Sequence, residues 1–290
     1  MDLFLDIRLY TGLIMIAMAI GLGIYLTRRF RLGWRLWFIG AAGFVLSQVG
    51  HIPFNGLLNV LFLQGILPMS LVQNVFGTAI IAGLSAGLWE ELVRAGIFRW
   101  AAKDARSWRK GVLLGAGHGG IEAIILGMLV FGTFIYMFAI RGINLEQMVP
   151  PEQLALAQQQ IQAYWSSPWT VSILGPVERA LTIPCHIAMS VMVLQAFTRK
   201  QPWWIALAVL FHALLDAAAV VSISYLNVYA TEGVIALFTA FSLWVIFALR
   251  QPEPVENAPE LPPLEPVSGI RPEDVSHEIT KEDLDRSRYS

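Results

Sequence analysis

The chain has 290 residues, of which 56% are hydrophobic and 14% charged, with a mean hydropathy of +0.59. Soluble domains carry about 25% charged residues, so the composition excludes an ordinary soluble domain and describes an integral membrane protein. The formal net charge of −1 gives no basic excess for nucleic acid, and the single cysteine, Cys185, excludes an intrachain disulfide.

The net charge hides a split. The segment after Arg250 holds ten acidic and four basic residues, a net of −6, which leaves +5 for the rest. Ten Trp and seven Tyr suit the two interfacial belts of a membrane protein.

Residues 1–8 carry both signs of charge, and the first span lies within Leu9 to Phe30. Its N-terminal flank lacks a positive cluster and no small-residue cleavage site stands out, so it reads as a retained anchor. Arg28, Arg29, Arg31 and Arg35 follow at once. They place that loop in the cytoplasm and the N-terminus outside. The second span runs from about Leu36 to His51 or beyond. His51-Ile52-Pro53-Phe54-Asn55-Gly56 is either a kink or its outer end, and Leu57 to Pro68 either extends the helix or lies along the interface.

The third span, about 74–100, holds Trp89-Glu90-Glu91-Leu92-Val93-Arg94 in an otherwise apolar run. A charge at the centre of a spanning helix costs about 2.5–3.5 kcal/mol, so three charges within five residues call for a task. Arg94 is i,i+4 from Glu90 and i,i+3 from Glu91, and either pairing is open. One carboxylate is left over. A basic loop, Arg99 to Lys110, follows on the cytoplasmic side.

The fourth span, about Gly111 to Ile140, opens with Gly115-Ala116-Gly117-His118-Gly119-Gly120-Ile121-Glu122. His118 and Glu122 share a face, and the glycines let neighbouring helices approach closely. Residues 141–168 form an external loop. Within it Pro151 to Trp165 has a helix-start proline and apolar residues at helical spacing, which predicts an interfacial helix. The fifth span, about Trp169 to Phe197, carries Glu178-Arg179 and Pro184-Cys185-His186. The sixth, Trp203 to about Tyr225, carries His212 and Asp216 at i,i+4, and the seventh is about Gly233 to Leu249. The fold class is therefore all-α: a polytopic transmembrane bundle of about seven spans over residues 1–250, N-terminus outside and C-terminus cytoplasmic. Residues 251–290, rich in Pro and Glu, read as a disordered tail.

At 1.5 Å per residue, Glu90, His118, His186 and His212 all fall roughly 10–18 Å from the cytoplasmic edge. Four helices bring metal-binding or acid–base groups to one level. The chemistry points to a divalent metal, with zinc the best fit to neutral imidazole and carboxylate donors. His118, His186 and His212 are candidate ligands. Glu122 and Asp216 are candidates for a fourth ligand or for orienting the histidines. Glu90 and Glu91 are candidates for the base and a ligand or transition-state contact. Arg94 and Arg179 would balance charge or hold a peptide oxyanion. Taken singly, each has a plainer reading. A lone intramembrane His is more often a hydrogen-bonded packing residue, Glu178 reads as structural, Cys185 as a small buried hydrophobe, and His51 and His277 as ordinary.

The four motifs, Glu90-Glu91-x-x-Arg94, Gly117-His118-Gly119-Gly120-Ile121-Glu122, Glu178-Arg179 followed by His186, and His212-x-x-x-Asp216, resemble the YhfC family of intramembrane metalloproteases. Their order is also similar to the wider PrsW and CAAX-protease group. The resemblance covers about residues 1–250. It implies a helical bundle holding a metal, and cleavage of a peptide bond in a membrane protein or lipidated peptide, at or in a bacterial plasma membrane. The competing classes are a proton- or ion-coupled transporter and a non-catalytic membrane scaffold that retains the site. Intramembrane acids and histidines also mark ion pathways, but the sequence holds no second copy of Glu-Glu-x-x-Arg or Gly-His-Gly-Gly, where many carriers repeat their halves.

Overall fold

The computed structural model describes residues 6–147 and 149–252. The expected tail falls almost wholly outside the described residues. All regular structure among the described residues is helical. Seven helical segments are long and apolar enough to cross a membrane, in agreement with the span count read from hydropathy.

The first helix, α1, is Ile7–Phe30, capped by the Asp6 side chain and closed by Arg31 in the left-handed region at φ 54°. Helix α2, Arg35–Leu63, runs unbroken through Pro53. The choice left open in the sequence thus resolves as one long helix that absorbs the proline. Helix α3 is Val75–Gly96, started by Asn74, whose side chain accepts from Gly77 N–H. It ends in a π-type turn, Ile97–Ala101. Such turns often sit beside functional residues, and this one follows Arg94 directly.

Helix α4 is Trp108–Ala139. Helix α5, Pro151–Ser166, is the helix expected within the loop; it has its proline in the first turn and buries no residue. Arg8 holds its end, donating to the carbonyls of Trp165 (3.3 Å) and Ser167 (2.8 Å). The fifth span is split into a single turn, α6 (Trp169–Ser172), and α7 (Leu174–Thr198). Helix α8 is Trp203–Tyr225. Helix α9, Val228–Ala248, starts five residues earlier than hydropathy suggests because Asn227 caps it, accepting from Tyr229 and Ala230 N–H.

Helix α4 packs against α1, α2 and α7, while α3 lies along α8 and α9 along α7. The outer surface is studded with large apolar side chains, among them Phe38, Val49, Leu129, Leu237 and Phe247, as a lipid-facing surface requires. Two close approaches position the site. A Cβ on Gly117 would sit 2.0 Å from the Trp37 carbonyl oxygen, so α4 meets α2 backbone to backbone. A Cβ on Gly87 would sit 2.7 Å from the Val209 carbonyl oxygen, one turn from His212, so α3 and α8 also meet closely. Small residues at such contacts replace the hydrophobic drive that lipid does not supply.

Candidate metal centre

The polar residues of four spans meet in one buried cluster. Helix α3 brings Glu90, Glu91 and Arg94. Helix α4 brings His118 and Glu122, α7 brings Arg179 and His186, and α8 brings His212 and Asp216. Glu91 and Arg94 are fully buried, and His118, His186, His212, Glu90 and Arg179 nearly so. Glu122 is more open, at 20% side-chain exposure, and Asp216, at 35%, marks the accessible side.

Arg94 could reach either glutamate from sequence, and it pairs with Glu91. Glu91 in turn accepts from His212 Nδ1–H at 3.0 Å. A second chain of the same make-up stands beside the first. Arg179 donates to Glu122 Oε1 at 2.7 Å, and Glu122 Oε2 lies 2.7 Å from His186 Nε2. Each arginine thus backs a carboxylate that meets a histidine of another helix. Glu122 shares a helix face with His118, one turn back, but its contact is with His186. Arg179 also pairs with Glu178, which is 39% exposed and takes no part in the cluster itself. Cys185 is buried, its sulfur 3.5 Å from the Leu181 carbonyl.

Glu90 is the carboxylate that Arg94 leaves over. Its Oε2 accepts from His118 Nε2 at 3.0 Å and lies 3.9 Å from His212 Nε2. His212 Nε2 is also 3.7 Å from Asp216 Oδ2. The rings of His118 and His186 have centres 5.1 Å apart, and His186 meets His212 edge to face at 5.6 Å. Sequence reasoning missed Gln48 of α2, whose amide donates to Glu90 Oε1 at 3.1 Å. The available signal was a glutamine in the middle of an apolar span.

Whether these residues suit a metal can be asked of their geometry and charge. Glu90, His118 and His186 each present a ligand atom, and the three lie within 4.8 Å of one another. Two histidines and a glutamate make one of the donor sets that catalytic zinc uses, with a fourth position for water. Two imidazoles that share a tetrahedral ion have ring centres about 5 Å apart, the spacing of His118 and His186. The charge balance agrees. Arg94 and Arg179 offset Glu91 and Glu122, which leaves two carboxylates without a guanidinium, Glu90 buried and Asp216 on the open side. An uncompensated negative charge at the depth of Glu90 is what a divalent cation neutralises. His212 lies outside the tightest donor set, although the sequence marks it as a candidate ligand.

A family model described as YhfC intramembrane metalloprotease matches residues 14–239. The chain belongs to the YhfC family. It is 30% identical over 250 residues to the "Uncharacterized membrane protein YhfC" of Bacillus subtilis (strain 168), covering 83% of this chain and 94% of the relative. No solved structure matches. The YhfC match begins inside α1 and ends inside α9, so it contains every residue of the cluster.

Proposed function

We propose that this YhfC-family chain is a zinc-dependent intramembrane endopeptidase, cleaving a peptide bond of a membrane protein or lipidated peptide. The observation that carries the reading is the buried Glu90–His118–His186 donor set, in a site with two more carboxylates than guanidiniums. The basic loops favour an orientation with the N-terminus outside and the C-terminus cytoplasmic.

In this reading Glu90, His118 and His186 hold the metal. Glu122, backed by Arg179, fixes His186. A zinc ion held there would supply Lewis-acid chemistry, polarising the scissile carbonyl and making water more acidic. Glu91, held by Arg94, accepts from His212 Nδ1–H, and this sets the ring with Nε2 directed at Glu90 and Asp216. Nε2 of His212 is the atom that takes the proton of the attacking water and returns it to the leaving amine as the C–N bond breaks. Asp216, at the open side, stabilises His212 while it is protonated. The burial of Arg94, Glu91 and His118 keeps bulk water from the inner side of the site.

The test measures bound zinc by elemental analysis and cleavage by the appearance of new N-termini in a membrane extract treated with purified protein. The His186→Ala variant is expected to lose both. Zinc content unchanged in that variant would overturn the proposed site.

A further inference from the structure

Glu90 is anchored from a direction that none of the four motifs supplies. Gln48, His51 and Asn55 of α2 lie at i, i+3 and i+7 and so share one helix face. That face turns to α3, between the exposed apolar side chains of Val45, Val49 and Ile52. Polar groups at membrane depth are costly and are retained where they serve a site.

The hydrogen bonds of this row run in one direction. Ser85 of α3 donates its hydroxyl to Asn55 Oδ1 at 2.6 Å. The Asn55 amide lies 2.9 Å from His51 Nε2, which therefore accepts, leaving the ring proton on Nδ1. Nδ1–H faces Gln48 Oε1 at 3.3 Å, and Gln48 Nε2–H reaches Glu90 Oε1 at 3.1 Å. Each partner sets the orientation of the next, and the row ends on the carboxylate. Glu90 Oε1 is thereby occupied, and only Oε2 faces His118 and His212.

We propose that Gln48 and His51 are positioning residues for Glu90: Gln48 engages one carboxylate oxygen so that the other alone is offered to the metal, and His51 holds the Gln48 amide in the orientation that does so. This rests on the reading of Glu90 as a ligand. The competing role for the row is simple adhesion between α2 and α3, in which metal affinity would change only in step with the stability of the fold.

The experiment uses the full chain in detergent micelles, stripped by chelation and titrated with Zn2+ against a chromophoric chelator, with the thermal unfolding midpoint recorded alongside. Removing an outer partner of a metal ligand typically weakens affinity about 10–100-fold. That loss is expected for Gln48→Met, with a loss in the same direction for His51→Phe. The double variant should be no weaker than Gln48→Met alone, because His51 acts through Gln48. Gln48→Asn, which draws the amide back by one methylene and stays polar, serves if the methionine variant does not fold, and the same loss is expected. Wild-type affinity in the Gln48 variant that folds overturns the proposal. So does a pair of losses that add and follow the unfolding midpoints, the mark of adhesion. Zinc binding that survives His186→Ala overturns the site reading, and this assignment with it.

Discussion

Removing Arg94 is the sharpest perturbation of the site's electrostatics. Arg94 and Glu91 are both 0% exposed. Taking one partner from a buried pair costs about 3–5 kcal/mol, because the other charge is stranded without solvent. Arg94→Met keeps most of the side chain's apolar volume and removes only the guanidinium. Glu91 retains the bond from His212 Nδ1–H, which places the expected cost at the lower end, about 3 kcal/mol. The double variant Arg94→Met, Glu91→Gln removes the stranded charge, and a glutamine oxygen still accepts from His212. The double variant should therefore lie within about 1 kcal/mol of the parent. Unfolding in mixed micelles with increasing dodecyl sulfate, followed by circular dichroism, gives both values. A single variant that costs less than about 1 kcal/mol, or a double variant as unstable as the single, would refute the reasoning.

His212→Gln is expected to retain zinc and to lower cleavage by about 10²–10⁴-fold, the usual range for a general acid–base group. Loss of zinc in elemental analysis would make His212 a ligand instead. The Arg35 guanidinium, at the start of α2, donates at 2.9 Å to Asp104 in the loop between α3 and α4 and holds its carboxyl below the usual carboxylate range. A depressed carboxyl contributes stability above the unfolded value, about 3.9, and loses it as pH falls through the folded value. Arg35→Ala should move the Asp104 titration, read by carboxyl carbon NMR, back toward 3.9 at a stability cost of about 0–1 kcal/mol for so exposed a pair. An unmoved titration would mean the pair does not persist in solution. For the orientation, Ser166→Cys should react with an impermeant thiol reagent on intact cells, and Lys103→Cys only after permeabilisation. The reverse pattern would invert the topology.

The spans were legible because apolar runs of bilayer length are hard to mistake, and the site was legible because charges inside them are costly. The pairing within the site was not. Arg94 reaches either glutamate by helical spacing, and the choice is made by α4 and α8. His118 arrives at Glu90 and His212 at Glu91, and Arg94 completes the second pair. Likewise the spacing of His118 and Glu122 gives them a common face, but Glu122 extends across to His186 on α7. Spacing along one helix fixes direction, whereas partners are fixed by which helix is near, and that depends on backbone contacts such as Gly117 against Trp37. The row on α2 shows the same limit. Gln48, His51 and Asn55 stand at helical spacing in the sequence, yet Pro53 among them reads as a kink or an end. Only with α2 continuous through Pro53 does the row become one face running from Ser85 to Glu90. The two Arg–Glu–His chains and this row together account for each carboxylate's partner in the site. Glu91 and Glu122 are held by charge. Asp216 faces His212 and the open side, and Glu90 alone is held by a neutral amide. A neutral donor orients a carboxylate without cancelling its charge. That is the requirement for an anionic ligand that must still help neutralise a divalent ion, and it is why Gln48→Lys, which sets a positive charge against the carboxylate, should weaken zinc binding more than Gln48→Met. Equal zinc affinities for the two variants in the chelator titration would show that the amide's neutrality is incidental.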